Sequence, residues 1–97
     1  DSDGATITFD LDQGPVHSVT LGGNRVLALS NSAAGKVFIL RIIQGGGSNT
    51  VTWFSTIKWD GTTVPTLTTA AGKIDVFGFI CTSTNNDDGY IVAQNVG

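Results

Sequence analysis

The chain contains few of the residue types that form cross-links, bind metals or serve as catalytic bases. Its 97 residues include one cysteine, one histidine, no methionine and no glutamate, since all eight acidic residues are aspartate. The lone Cys81 excludes a disulfide framework. The lone His17 disfavours a dense metal cage, and we predict no cofactor. A small domain without such supplements commonly gains stability by oligomerising, and we expect that here.

Charge of either sign is also scarce. The five basic residues are scattered, and the net charge is -3. Without a basic stripe we expect no nucleic-acid binding. No apolar run approaches the length of a membrane span, so no membrane insertion is predicted. The length favours a single β domain over residues 1–97 with a polar lead-in at 1–4, and a start at Asp1 makes a longer parent protein one expectation.

Threonine, glycine and β-branched residues are abundant, and β-branched residues fit a pleated strand better than a helix. Residues 7–11 alternate between apolar and polar side chains, and so do residues 17–21. Residues 22–24, Gly-Gly-Asn, have the composition of a tight turn before a third strand at 25–30. The pattern predicts an antiparallel meander for the first three strands.

Two later runs are apolar on both faces, which is typical of strands covered from both sides. These runs are residues 37–43, interrupted by Arg41, and residues 74–81. A turn signal at 85–89 then makes residues 74–93 a predicted β-hairpin.

Shorter elements complete an all-β pattern. Strands are predicted at 50–53 and 57–59, and residues 62–69, which contain Pro65, are predicted to form an extended connection or an edge segment. The predicted fold is a small antiparallel β-sandwich or jelly-roll-like domain of about seven to eight strands. Strands buried on both faces need either two packed sheets or a second subunit, and we expect both.

The residue types that carry catalysis do not occur in a suitable set. His17 is the only base for a nucleophilic triad, but it shares a strand face with Val19, which favours a partly buried strand residue. Cys81 ends an apolar strand and is interpreted as a small core residue, not a reactive thiol. We predict no catalytic residues and no enzyme activity.

Two acidic parts of the chain carry oxygen atoms of the kind that bind a cation. Asp10 and Asp12 lie two residues apart, and we interpret them as a solvated strand end. Residues 85–89, Asn-Asn-Asp-Asp-Gly, carry calcium-type ligands, but the same residues are favoured in a hairpin turn. The turn is the preferred interpretation, and no metal site is predicted.

Aromatic residues form the remaining candidate site. Trp53, Trp59 and Tyr90 are able to stack on a sugar, because an aromatic ring presents a flat apolar face. Packing in the core or between subunits is the preferred interpretation. These three residues are therefore candidate ligand or interface residues, together with Phe77 and Phe79 of the second doubly apolar run.

An ordered series of short motifs surrounds the tryptophans. The motifs are Thr-Val-Thr-Trp at 50–53, Lys58-Trp59, Pro-Thr-Leu-Thr at 65–68 and Asp-Val-Phe-Gly-Phe at 75–79, preceded by Val19-Thr20-Leu21, Gly23-Asn24-Arg25, Leu29-Ser30-Asn31 and Gln44. In order and spacing the series resembles a module of virion proteins from tailed bacteriophages and prophages, which are labelled tail-fibre, head-fibre or structural protein. The resemblance covers residues 6–95.

The resemblance implies an all-β module displayed on a virion, assembled as a homotrimer and without catalytic residues. Two departures lie in loops: Phe54 stands where the module commonly has proline, and Asp60-Gly61 where it commonly has Pro-Gly. In a trimer the second faces of residues 37–43 and 74–80 would meet around a shared axis, with Phe77, Phe79 or Val76 at the interface.

Three functions remain open at this point. The leading one is a tail-fibre or receptor-binding-tip domain, which recognises a host-surface glycan or protein or trimerises the fibre. The second is a capsid decoration (cement or head-fibre) protein that binds and stabilises the shell, and the third is a carbohydrate-binding module of a larger protein. The expected location is the virion, and the expected partners are copies of the chain, other capsid or tail proteins, and a host-surface glycan.

Overall fold

Eight strands account for 53% of the residues in the computed structural model, which describes the whole chain from Asp1 to Gly97. There is no α-helix, and one 3-10 turn spans Asp60–Thr62. The strands are β1 (Thr6–Asp10), β2 (Val16–Leu21), β3 (Arg25–Ser30), β4 (Val37–Gln44), β5 (Val51–Thr52), β6 (Ile57–Trp59), β7 (Ile74–Ser83) and β8 (Asn86–Val96). The predicted all-β class is confirmed.

The strands form two sheets, and the first five strands alternate between them. The smaller sheet has the order β1-β3-β5, and the larger sheet has the order β2-β4-β7-β8-β6. The predicted meander of the first three strands is therefore wrong, because β2 and β3 lie in different sheets. The link between them is held by Asp3, which accepts a hydrogen bond from the Gly22 N–H at 3.1 Å and pairs with Arg25 at 2.8 Å.

Most strand pairings are parallel, which corrects the predicted antiparallel arrangement. The pairs β1–β3, β2–β4, β3–β5 and β6–β8 are parallel, whereas β4–β7 and β7–β8 are antiparallel. Parallel neighbours need a crossover, and in the first half of the chain a strand of the other sheet provides it. Alternation of side chains indicates which face of a strand is buried, but it does not indicate which strand lies beside it.

The predicted hairpin is confirmed, with its turn earlier than expected. The chain reverses at Thr84–Asn85, where Asn85 has φ 60°, and β7 pairs antiparallel with β8. Asp87 and Gly89, predicted in the turn, lie in β8 and are buried. Glycine is needed at position 89 because a Cβ there would lie 2.8 Å from Cγ2 of Ile57.

Side chains from both sheets form one apolar core. Its twelve buried members are Ile7, Phe9, Leu11, Val19, Leu21, Leu27, Phe38, Leu40, Ile42, Phe77, Phe79 and Cys81. Phe38 and Phe79 stack within it, with ring centroids 4.9 Å apart. The core therefore covers one face of the larger sheet, which we call its inner face.

Within the chain, β4 and β7 bury one face each. Phe77 and Phe79 point into the core and have no exposed surface, while Val76 and Ile80 alternate with them on the opposite face. A partner chain cannot contact Phe77 or Phe79 without opening the core, so their assignment as interface residues is corrected. We call the opposite face of the larger sheet the outer face.

Candidate functional site

His17 is held in structural hydrogen bonds. Its ring is 3% exposed, with Nδ1 3.1 Å from the Asp1 carboxylate and Nε2 2.9 Å from the Gly14 carbonyl oxygen. The ring also meets Phe9 edge-on at 5.8 Å between centroids. The predicted strand position is confirmed, although the residue is buried more completely than expected. Both ring nitrogens are already occupied, and neither is directed at a serine or cysteine.

Cys81 lies in a buried polar cluster at the start of the β7–β8 turn. Its thiol donates to Oδ1 of Asp87 at 2.8 Å, and the Thr56 hydroxyl donates to Oδ2 of the same carboxylate at 2.7 Å. Burial raises the pKa of the Cys81 thiol, and the hydrogen bond to Asp87 raises it further. The predicted core position of Cys81 is confirmed. Asp87 is a buried structural group that the sequence pattern assigned to a turn.

We expect Cys81 to resist alkylation in the folded protein. Iodoacetamide labelling at pH 8 should be roughly 100-fold or more slower than in denaturant, because the reaction needs both local opening and loss of the thiol proton. Labelling followed by mass spectrometry measures both rates. Equal rates in the folded and unfolded protein would contradict the buried position.

Asp10 and Asp12 are engaged by separate neighbours at the end of β1. The Asn31 side-chain amide donates to Oδ1 of Asp10 at 2.6 Å, and the Asp12 N–H donates to the same oxygen at 3.0 Å. These hydrogen bonds, the one from Asn31 first, lower the pKa of Asp10. Lys36 Nζ lies 2.6 Å from Oδ1 of Asp12. No group of three or more metal-ligating residues occurs in the chain.

The three candidate stacking residues do not form one platform. Trp53 and Trp59 meet edge to face at 5.0 Å between ring centroids, and Trp53 also meets Phe77 at 4.9 Å. Tyr90 lies on the outer face, where its ring covers Gly78 so closely that no larger residue would fit there unshifted. The two tryptophans thus belong to the rim of the core, and the tyrosine belongs to a different surface.

A groove of about 200 Å³ opens beside Trp53. We call it the Trp53 groove. One wall is the chain around β5, from Asn49 to Trp53, and the other is the extended segment from Val64 to Thr69. A second, shallower depression of about 380 Å³ lies next to it, contains Trp59 and shares Val64 with it. The sequence indicated the tryptophans but not the groove, because its walls are 11 or more residues apart in the chain.

Three polar side chains, of which Asp75 and Gln44 are buried, fasten the extended wall of the Trp53 groove. Oδ2 of Asp75 accepts a hydrogen bond from the Thr68 N–H at 2.7 Å, and the Gln44 amide donates to the Thr68 carbonyl at 3.0 Å. Gln94 donates to the Thr66 carbonyl at 2.8 Å. The wall therefore has fixed anchors even though it belongs to no sheet.

The carboxylate of Asp75 is the central anchor of this wall. Its burial favours a higher pKa, but the N–H groups of Asn95 and Thr68 and the Gln94 amide outweigh that effect, so the pKa of Asp75 is lowered. Asp75 is only 2% exposed, and Gln44 is equally buried. Neither residue was predicted to be buried, since Asp75 is a charged residue within the run 74–81 and Gln44 directly follows the run 37–43.

The outer face of the larger sheet is apolar across neighbouring strands. One row across it is Val16, Ile39, Gly78 and Tyr90, and the next contains Val37 and Ile80. Val16, Val37 and Ile80 are 57%, 52% and 42% exposed. Nothing in the chain covers these side chains, and a contiguous apolar surface of this kind marks an interaction site.

Three charged side chains on the outer face, Arg41, Lys58 and Asp88, form no ion pair within the chain. Arg41 donates to the Ser18 hydroxyl at 3.1 Å, and Asp88 lies beside Lys58 in the register of β6 and β8. The ion pairs that the chain does form are Arg25–Asp3 and Lys36–Asp12, and the His17 ring contacts the Asp1 carboxylate. The face thus combines an apolar centre with two positive groups and one negative group available to a partner.

Comparisons with protein-family models, curated proteins and solved structures give no match for this chain. No helix in the structure has the length and apolar character needed to cross a membrane.

Proposed function

We propose that this chain is a non-enzymatic structural module of a bacteriophage particle, a tail-fibre or receptor-binding-tip domain that assembles as a homotrimer through its outer face. The observation that carries the proposal is the uncovered apolar outer face. The motif series around the tryptophans supports a virion location. The structural engagement of His17, Cys81 and Asp87 supports a role without catalysis. The finer fold description that we propose is a two-sheet sandwich, completed by its partners.

The size of the outer face suits a subunit interface. Five strands at about 4.8 Å spacing are about 24 Å wide, and eight residues of strand are about 26 Å long. The face therefore measures about 600 Å², near the roughly 800 Å² that each partner contributes to a stable interface. Flanking loops can supply the difference.

A second copy of the chain is the partner that best suits the charges on this face. The face carries Arg41, Lys58 and Asp88, and none of the three forms an ion pair within the chain. In a symmetric assembly each group can meet its opposite on a neighbouring copy, which supports self-association. A large single-sign field, which would repel a second copy, is absent from the face.

The test is the mass of the native chain in solution and of two matched variants. Sedimentation should give three times the chain mass of 10.1 kDa for the native protein. Ile80→Asp should give the single-chain mass, because a trimer would have to bury three carboxylates in an apolar contact. Val26→Asp, at an equally exposed valine of the smaller sheet, should remain trimeric.

Circular dichroism of Ile80→Asp distinguishes dissociation from unfolding. A folded monomer supports the proposal. A native protein that is monomeric at micromolar concentration, or an Ile80→Asp variant that stays trimeric, contradicts it. On an imaged particle, copies at the tail tip support the fibre function, and copies spread over the head would assign capsid decoration instead.

A further inference from the structure

We propose that the Trp53 groove binds a neutral glycan, by stacking one sugar ring against Trp53 and hydrogen-bonding its hydroxyl groups at the rim. The inference rests on the proposed function, because a receptor-binding module needs a ligand site, and it assigns that site to a surface separate from the outer face. About 200 Å³ is small for a drug-sized ligand and suits one sugar unit of a longer chain.

Trp53 is held in place before any ligand arrives. Its ring meets Phe54 at 6.1 Å, Trp59 at 5.0 Å and Phe77 at 4.9 Å between centroids, each edge to face. These contacts secure part of the ring in the core, and the remainder lines the groove. A fixed aromatic surface binds the C–H face of a sugar without the loss of side-chain freedom that a mobile ring would incur.

The floor and rim of the groove differ in polarity as a sugar requires. Half-buried apolar surface comes from Val51, Pro65 and Leu67 beside the tryptophan, whereas Val64 and the threonines of the lining are exposed. Thr50, Thr66 and Thr69 are exposed, and their hydroxyls make no hydrogen bond within the chain. Free hydroxyls at the rim of an apolar floor are suited to hydrogen-bonding a sugar that rests on that floor.

The lining of the Trp53 groove contains no charged side chain. All nine lining residues are neutral, from Asn49 to Thr69. A phosphate, a uronic acid or an amine would lose hydration in this groove without gaining a counter-charge. The ligand class is therefore neutral, which favours hexose and N-acetylhexosamine chains over acidic polysaccharides.

The anchored wall makes the groove a preformed site. Asp75, Gln44 and Gln94 hold the backbone of Thr66 and Thr68. A site that is already shaped needs less ordering on binding and therefore retains more of its contact energy. The same anchors keep the extended wall from closing over Trp53.

The test uses the full chain on an array of neutral hexose and N-acetylhexosamine oligosaccharides, with sialylated glycans, uronic-acid glycans and extended peptides as separate arms. The array hit is then titrated by calorimetry. Val64→Arg should weaken binding about tenfold or more, since the guanidinium enters the groove and carries a charge that a neutral sugar cannot satisfy. Thr66→Val should weaken binding about threefold to tenfold by removing one rim hydroxyl.

Val26→Arg is the matched control, because Val26 is an exposed valine outside the groove lining. Binding of neutral glycans that falls in Val64→Arg and not in Val26→Arg supports the inference. Binding only to acidic glycans or to peptides, binding to nothing on the array, or binding unchanged in Val64→Arg overturns it. A trimer that binds no glycan refutes this inference alone, and a monomer that binds glycan refutes the proposed assembly alone.

Discussion

Asp75→Asn is expected to lower the free energy of unfolding by about 2–4 kcal/mol, because hydrogen bonds to a buried charged group are among the strongest and their loss leaves donors unpaired. The carboxylate accepts from the Thr68 N–H, the Asn95 N–H and the Gln94 amide. An asparagine can retain one oxygen, but its NH₂ group then faces another donor. Urea unfolding followed by tryptophan fluorescence measures the difference.

The difference in free energy of unfolding between the native protein and Asp75→Asn should become smaller at low pH. Because the folded-state pKa of Asp75 is lowered, its contribution is fully present above the unfolded value of about 3.9 and disappears as the pH falls through the folded value. The difference in free energy of unfolding between the native protein and Asp75→Asn should therefore be constant from pH 7 to about pH 5. It should decrease below about pH 4. Asp60→Asn is the control, since Asp60 is exposed and its side chain makes no hydrogen bond. An Asp75→Asn variant as stable as this control would contradict the anchoring role.

Phe79→Ala is expected to lower the free energy of unfolding by about 3–5 kcal/mol, the usual range for replacing a buried phenylalanine with alanine. Phe79 has no exposed surface and meets Phe38 at 4.9 Å, Phe54 at 5.5 Å and Trp59 at 5.6 Å between ring centroids. Its removal opens a cavity at the junction between the core and the tryptophans. Denaturant unfolding at equal protein concentration measures the loss, because the stability of an oligomer depends on concentration.

The same variant tests whether the core supports the Trp53 groove. Folded Phe79→Ala should show red-shifted tryptophan emission, since Trp53 and Trp59 both pack against the missing ring. Val26→Ala, at an exposed valine of β3, should cost under about 1 kcal/mol and leave the emission unchanged. A similar loss in both variants would be inconsistent with the position of Phe79 at the centre of the core.

The sequence predicted the burial of some candidate residues and not of others, depending on whether near neighbours in the chain or distant segments surround them. His17 and the two tryptophans were placed correctly in strands or core, because their apolar neighbours at alternate positions indicate a buried face, and Cys81 was placed correctly because free cysteine is commonly buried. The inward direction of Phe77 and Phe79, with Val76 on the opposite face, was left open, since a run apolar at every position carries no alternation to orient it. Asp75 and Asp87 have no sequence signal for burial, because the donors that satisfy them lie in other elements.

The sequence by itself determined the all-β class, the positions of the strands and the inward residues of β1 and β2, because these depend on local propensity and a two-residue period. Only the tertiary structure decided the parallel pairing, the turn at Thr84–Asn85, the outer face and the Trp53 groove. The physical reason is the separation along the chain between the residues that interact. Alternation acts between residues two apart, whereas strand partners and groove walls are set by contacts between distant segments that compete for the same core.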